Sequence, residues 1–255
     1  MELLELYSLL RKTLQKKVKA LTELLPLYDK KYDCLMCKKT FTSKKVRSRF
    51  VKVTSYDSDF CPTYTSDEAN PTLYYVKVCP HCGFSFSEDF QPYFPPGSTE
   101  VIKTKVCDQW VPHDYGGDRS VSSALQTFKL AAYCGMLKKE KHVNIAGLYM
   151  RLAWLYRSLD NQEQERRFMN LAQHEYTESY MADDFRGTQV SEIRILYLIG
   201  ELSRRTDNIE QAIKYFSKVI EKQKSTTETK TVEMARERWY EIRELQKEKE
   251  ETTIE

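Results

Sequence analysis

The chain has 255 residues, a hydrophobic fraction of 41% and a formal net charge of +3 from 40 basic and 37 acidic side chains. That is enough apolar material for one large or two modest packed domains, and it sets up no global field that would commit the protein to nucleic acid or a membrane surface. The apolar runs fall well short of the roughly 20 residues that cross a bilayer. No charged-then-apolar leader opens the sequence, and seven cysteines, an odd number, argue against a disulfide framework, so the cytoplasm is the expected compartment.

Residues 1–25 place Leu3, Tyr7, Leu10, Leu14, Leu21 and Leu24 at helical spacing, which predicts an amphipathic helix ending near Pro26. Docking on the rest of the protein or self-association would cover its apolar face.

Residues 26–97 change character to β-branched and aromatic residues punctuated by Pro, Gly, Asp and Ser, the composition of short strands and turns. Strands are expected over Lys44 to Val53 and Leu73 to Val78, pairing beside the most informative feature of the chain. That feature is Cys34-Leu35-Met36-Cys37 followed by Cys79-Pro80-His81-Cys82. Two C-x-x-C pairs can close one tetrahedral Zn²⁺ site with four thiolates, and Gly83 permits the tight turn of a zinc knuckle. The 41 positions between the pairs exceed the compact finger spacing and suit an elaborated zinc ribbon. A redox C-x-x-C would normally sit beside a βαβ pattern, which is not visible.

Pro92, Pro95, Pro96 and Gly97 break regular structure, and residues 98–119 form a linker to which no element can be assigned. From 120 to 245 the period is helical. Tyr149, Leu152, Ala153, Tyr156, Asp160, Met169 and Ala172 recur 47 residues later as Leu196, Ile199, Gly200, Ser203, Asp207, Phe216 and Val219. The offsets are similar to those of tetratricopeptide hairpins, but the 47-residue shift exceeds that family's 34. A longer helix or an added loop around Tyr176 to Asp184 must absorb the excess. Val232, Ala235, Trp239, Ile242 and Leu245 form a capping helix, and 246–255 is a charged tail expected to fray.

Two constellations besides the cysteines are candidates for function. Arg47, Arg49, Asp57, Asp59, Tyr64 and Asn70 form a polar set, either a recognition surface for an anionic or polar group or a network that fixes loops of a small module. Seven basic residues and no acidic one lie between Lys38 and Lys52, interleaved with Phe41 and Phe50, a pattern open to nucleic-acid binding. Basic neighbours also compensate the charge of −2 on a Zn²⁺ with four thiolates. No H-E-x-x-H, P-loop or G-x-S-x-G pattern occurs, so no enzyme class is indicated.

The chain resembles the uncharacterised bacterial family called domain of unknown function 2225. The resemblance rests on Tyr28-Asp29-Lys30-Lys31 leading into Cys34-x-x-Cys37-x-x-x-Phe41, on Arg47 and Arg49, on Asp57-x-Asp59-Phe60 with Tyr64, and on Asn70-Pro71-x-x-Tyr74 before Val78-Cys79-Pro80-x-Cys82-Gly83-Phe84. It covers residues 28 to about 220 and implies a cytoplasmic protein with a zinc-ribbon-like front and tetratricopeptide-like helices behind, with no assigned reaction. The long leading segment and Cys61 depart from the pattern.

The expected protein is α+β, mainly α: a small zinc-ribbon-like β module followed by antiparallel helical hairpins. Cys34, Cys37, Cys79 and Cys82 would hold one structural Zn²⁺, and Tyr149, Tyr156, Arg157, Tyr197 and Arg204 would line a groove for a protein or peptide partner. The expected role is a non-catalytic adaptor or scaffold. A nucleic-acid-associated regulator using Lys38 to Lys52 and a thiol redox or metal sensor are the alternatives.

Overall fold

Alternating tyrosine, lysine and aspartate over Leu27–Asp33 builds β1, which pairs antiparallel with β2, Thr40–Val46, in the register Leu27 to Val46 through Asp33 to Thr40. Phe41 and Ser43 turn one face of β2 inward, and Val46, on the opposite face, is buried at its end. The structure, a computed structural model, describes residues 24–66 and 70–254. The helix expected over 1–25 therefore lies outside the described residues apart from Leu24 and Leu25, which carry no regular structure.

The strand expected over Lys44 to Val53 ends at Val46: one further ladder bond joins the Arg47 amide to the Pro26 carbonyl at 2.8 Å, and Ser48–Phe50 then becomes a 3-10 turn. The second expected strand is also shorter. Asn70 accepts from the Thr72 amide at 2.9 Å and, with Pro71, starts a 3-10 turn over Pro71–Tyr74. Two further strand pairs complete the ribbon: β3, Val53–Tyr56, with β4, Pro62–Tyr64, and β5, Lys77–Val78, with β6, Ser85–Phe86. The two anticipated strands thus pair with other partners rather than with each other.

Residues 98–119 are ordered against the ribbon. Gly97, at φ +78°, turns the chain into the short helix α1, Ser98–Ile102, and a π-helical turn follows over Lys103–Cys107. Arg119 is buried and donates to the carbonyls of Leu73 (3.1 Å), Val76 (2.7 Å) and Tyr115 (2.9 Å), so main-chain oxygens solvate its charge. Burial pushes this guanidinium down to about 10.

Helix α2, Val121–Lys138, starts at the Ser120 cap and carries Thr127, Phe128, Ala131 and Cys134 as a buried face against β5 and β6. Phe128 stacks on Tyr75 at 5.9 Å, and the Ser85 amide points at Cys134 Sγ at 3.4 Å. Two helical hairpins follow, α3 (His142–Arg157) with α4 (Gln162–Ala182) and α5 (Glu192–Arg205) with α6 (Ile209–Glu221), and α7 (Thr229–Ile254) packs on α5 and α6.

The 47-residue recurrence is also present in the turn geometry. Asp160 and Asp207 both adopt positive φ, and Asn161 and Asn208 cap α4 and α6 by accepting from the amides of Gln164 and Gln211. The extra length lies in the 21-residue α4, against 13 residues in α6, and in the loop 183–190. At Gly200 an added Cβ would lie 2.9 Å from the Phe216 ring, so the second hairpin is close-packed where the sequence places its small residue. Helix α7 continues through the charged tail to Ile254, while Leu245 stays exposed beyond the buried stripe of Val232, Ala235 and Ile242.

Candidate metal centre and its junction with the helices

Two loops of the same construction carry the four cysteines. In the first, the Cys34 amide donates to the Lys39 carbonyl and the Lys38 amide to the Cys34 carbonyl, both at 3.0 Å. In the second, the Cys79 amide donates to Phe84 (3.0 Å) and the Gly83 amide to Cys79 (2.8 Å). Both loops need a left-handed residue at the same position, Lys38 at φ +61° and Gly83 at φ +71°. The second admits no side chain, because a Cβ on Gly83 would meet the Trp110 ring at 2.4 Å, where the indole also donates to the Pro80 carbonyl at 3.0 Å.

The loops bring the four sulfur atoms within 4.8 Å of one another, with Cys34 to Cys82 at 3.6 Å and Cys37 to Cys79 at 3.7 Å. A tetrahedral ion with metal–sulfur bonds of about 2.3 Å needs sulfur–sulfur edges of about 3.8 Å. The donor set therefore fits a metal ion bound by four thiolates. Without a cation the thiols compete for their protons. Hydrogen bonds from Cys34 and Cys82 hold the Cys79 thiol far below its ordinary range, while the bond to Cys79 pushes Cys34 up to about 12. A cation would relieve this competition by replacing the shared protons.

The other end of the ribbon is held by ion pairs. The turn between β3 and β4 inserts Asp57, Ser58 and Asp59 against α3 and α5. Asp59 is fully buried and accepts from Arg157 at 2.6 Å, the Trp154 indole at 3.1 Å and the Cys61 amide at 3.1 Å. Asp57 accepts from Arg157 (2.8 Å) and Arg205 (2.7 Å), Ser58 donates to buried Glu201 at 2.6 Å, and the Tyr197 hydroxyl donates to the Ser58 carbonyl at 2.8 Å. Burial alone would raise the Glu201 and Asp57 carboxyls, but Arg204, Arg205 and local hydrogen bonds hold both below the usual carboxylate range.

The sequence-selected polar set is thus split. Asp57 and Asp59 meet arginines of the helices. Arg47 instead lies over the Tyr28 ring at 4.6 Å and donates to the Leu25 carbonyl, Arg49 lies over Phe50 at 4.8 Å, Asn70 caps its turn, and Tyr64 is 3.5 Å from Thr72. The proposed groove residues are likewise engaged within the chain. Tyr149 and Tyr156 are buried around Phe168, Arg157 and Tyr197 hold the acidic turn, and Arg204 pairs with Glu201 at 2.7 Å. On the basic face, Lys45, Lys30 and Lys77 gather around Glu88 at 3.0, 3.2 and 3.6 Å, and Lys44 pairs with Asp29 at 2.9 Å. Sequence reasoning missed Trp110, Arg119, Glu201 and Arg205, whose roles depend on contacts distant along the chain. Cys107 is a thiol beside Cys82, raised by burial against the lowering effect of the contact with Cys82.

A family described as an uncharacterized protein conserved in bacteria, DUF2225, matches residues 27–242. The chain belongs to this family. The matched span takes in both cysteine loops, the acidic turn and the helical hairpins. No curated protein and no solved structure matches this DUF2225 chain. Among its described residues no helix is long and apolar enough to cross a membrane.

Proposed function

We propose that this DUF2225 protein is a zinc-stabilised adaptor or scaffold: Cys34, Cys37, Cys79 and Cys82 bind one structural Zn²⁺, and the tetratricopeptide-like helices present a surface to a protein partner. Four thiolate ligands leave no open coordination position, so the metal braces the ribbon and activates no water. The observation that carries the partner reading is the grip of α3 and α5 on the acidic turn Asp57 to Asp59 through Arg157, Tyr197 and Arg205. A helical face that holds one acidic turn has the charge and hydrogen-bond donors to hold an acidic segment of a partner alongside it. The nucleic-acid alternative is weakened because Lys44 and Lys45 are already ion-paired within the chain.

The test is affinity capture with the metal-loaded full chain from cytosol, with and without nuclease, followed by reconstitution with the purified candidate. One protein recovered in stoichiometric amount, resistant to nuclease and bound directly after purification, supports the adaptor. Recovery of nucleic acid instead, in a complex that weakens steeply with salt, overturns it.

The thiol-sensor alternative retains Cys107, placed beside Cys82. It requires hydrogen peroxide to oxidise two of these thiols to a disulfide, with peroxide reduced to water and the metal released. A Cys107→Ser chain that releases metal at the wild-type rate would take Cys107 out of this reading and leave oxidation of Cys34 with Cys37 or of Cys79 with Cys82.

A further inference from the structure

Between ribbon and helices lies a cavity of about 460 Å³, bounded by α3, α4, α5, the loop 183–190, the acidic turn and the segment around Tyr75 and Asp89. Arg151 lies over the Tyr75 ring at 3.9 Å and gives one N–H to the Gly147 carbonyl at 2.8 Å, and Arg194 lies over the Phe60 ring at 4.0 Å. Among the described residues neither guanidinium has a carboxylate within ion-pair distance, whereas Arg157, Arg204 and Arg205 each do. The two carboxylates at the cavity are already engaged, Asp59 by Arg157 and Trp154, and Asp89 by the Tyr75 hydroxyl.

Tyr176 adds a separate observation. It lines the cavity from α4 and is only 5% exposed, yet its hydroxyl has no hydrogen-bond partner among the described residues. Burial pushes that hydroxyl up to about 12, against the pull of Arg151 and Arg194, so it stays a donor at neutral pH. The Tyr176 hydroxyl and the two cations thus present unused donors to a partly enclosed cavity, where only water or a ligand can accept from them. A bound anion would satisfy all three groups at once. The Tyr75 and Phe60 rings hold the guanidiniums at the cavity without using their N–H donors, which favours preorganised anion binding. Val143, Met150 and Leu198 supply an apolar wall.

We propose that this cavity binds a small organic anion whose phosphate or carboxylate is held by Arg151, Arg194 and Tyr176, with its apolar body against Val143, Met150 and Leu198. The volume falls in the range of about 300–1,000 Å³ usual for small-molecule sites. The site is independent of the adaptor reading, since a chain without any protein partner would still bind the ligand.

Titration calorimetry on the metal-loaded full chain tests it with phenyl phosphate, benzoate, benzyl alcohol and an oligoglutamate peptide as probes. The expected result is one site per chain for at least one of the two acids, with benzyl alcohol at least about tenfold weaker. The acid that binds more tightly identifies phosphate or carboxylate as the natural group. Arg151→Gln and Arg194→Gln should each weaken the acid by about tenfold or more at an unchanged melting temperature, and Tyr176→Phe by severalfold. Three results overturn the proposal: both acids bind no better than the alcohol, the Arg151→Gln/Arg194→Gln chain binds as the wild type does, or only the peptide binds.

Discussion

The two ends of the ribbon are ordered by different physics. At one end four thiols converge from loops that repeat the same backbone hydrogen bonds, in a set that could hold a metal ion. At the other, three residues of a turn are held by arginines 98 to 148 positions away, and order depends on burying carboxylates with their partners. The first junction is built from two loops that are each local in sequence. The second is non-local and forms only when the helices are folded. The ribbon therefore needs both, because three two-stranded pairs bury too little surface to stand alone.

Breaking the metal end should have the larger effect. Cys79→Ser removes a fully buried ligand and should abolish stoichiometric metal binding and unfold the ribbon, read as loss of the Trp110 environment in near-ultraviolet circular dichroism. Asp59→Ala attacks the other end by leaving Arg157 without its buried partner. It should cost about 3–5 kcal/mol in denaturant unfolding while metal content stays at the wild-type level. A coincident loss of metal would show that the two junctions are one cooperative unit.

The two cysteine loops also differ in a way that can be measured. Gly83→Ala meets both a left-handed backbone and the Trp110 ring, and should cost about 2–4 kcal/mol. Lys38→Gly occupies the equivalent position on an exposed loop and should change stability by less than about 1 kcal/mol, because relief of the left-handed strain is offset by chain entropy.

Acid should loosen the acidic-turn end through Glu201 and Asp57, whose folded-state carboxyls are depressed. Depressed carboxyls contribute stability that is fully present above their unfolded values and lost as pH falls through the folded ones. Stability should therefore be level near neutrality and decline below about pH 4.5, most steeply where these two groups protonate. Glu88 is depressed to about 2, against the opposing effect of its own burial, by Lys45, Lys77 and Lys30, and it extends the decline towards that pH. Since its side chain is half exposed, Glu88→Gln should have the smallest effect of the series, well under about 1 kcal/mol and weaker still at high salt.

What the sequence made legible follows the same division. C-x-x-C spacing encodes ligand geometry within four residues, so the metal site can be read without a fold, and the helical periods of 120 to 245 announce their own hairpins. The acidic turn is different. Asp57 and Asp59 stand out as charged residues near Arg47 and Arg49, yet the arginines they meet are Arg157 and Arg205, a pairing set by how the β3–β4 turn reaches α3 and α5. Arg157 and Tyr197 do face an acidic turn, but that turn is the protein's own. Tyr149 and Tyr156 illustrate a second limit, since an aromatic at helical spacing has the same signature whether it lines a groove or fills the core. Lys38 shows a third: its left-handed conformation carries no glycine to signal it, whereas Gly83 does.

The central claim is that a bound zinc ion holds the ribbon in place. Elemental analysis of the purified chain combined with melting curves before and after chelation tests it most directly. The account predicts one zinc per chain, and a cooperative transition that falls steeply in temperature on chelation and returns when zinc is restored. A chain that contains no metal, melts at the same temperature with or without chelator and keeps its near-ultraviolet spectrum would contradict it.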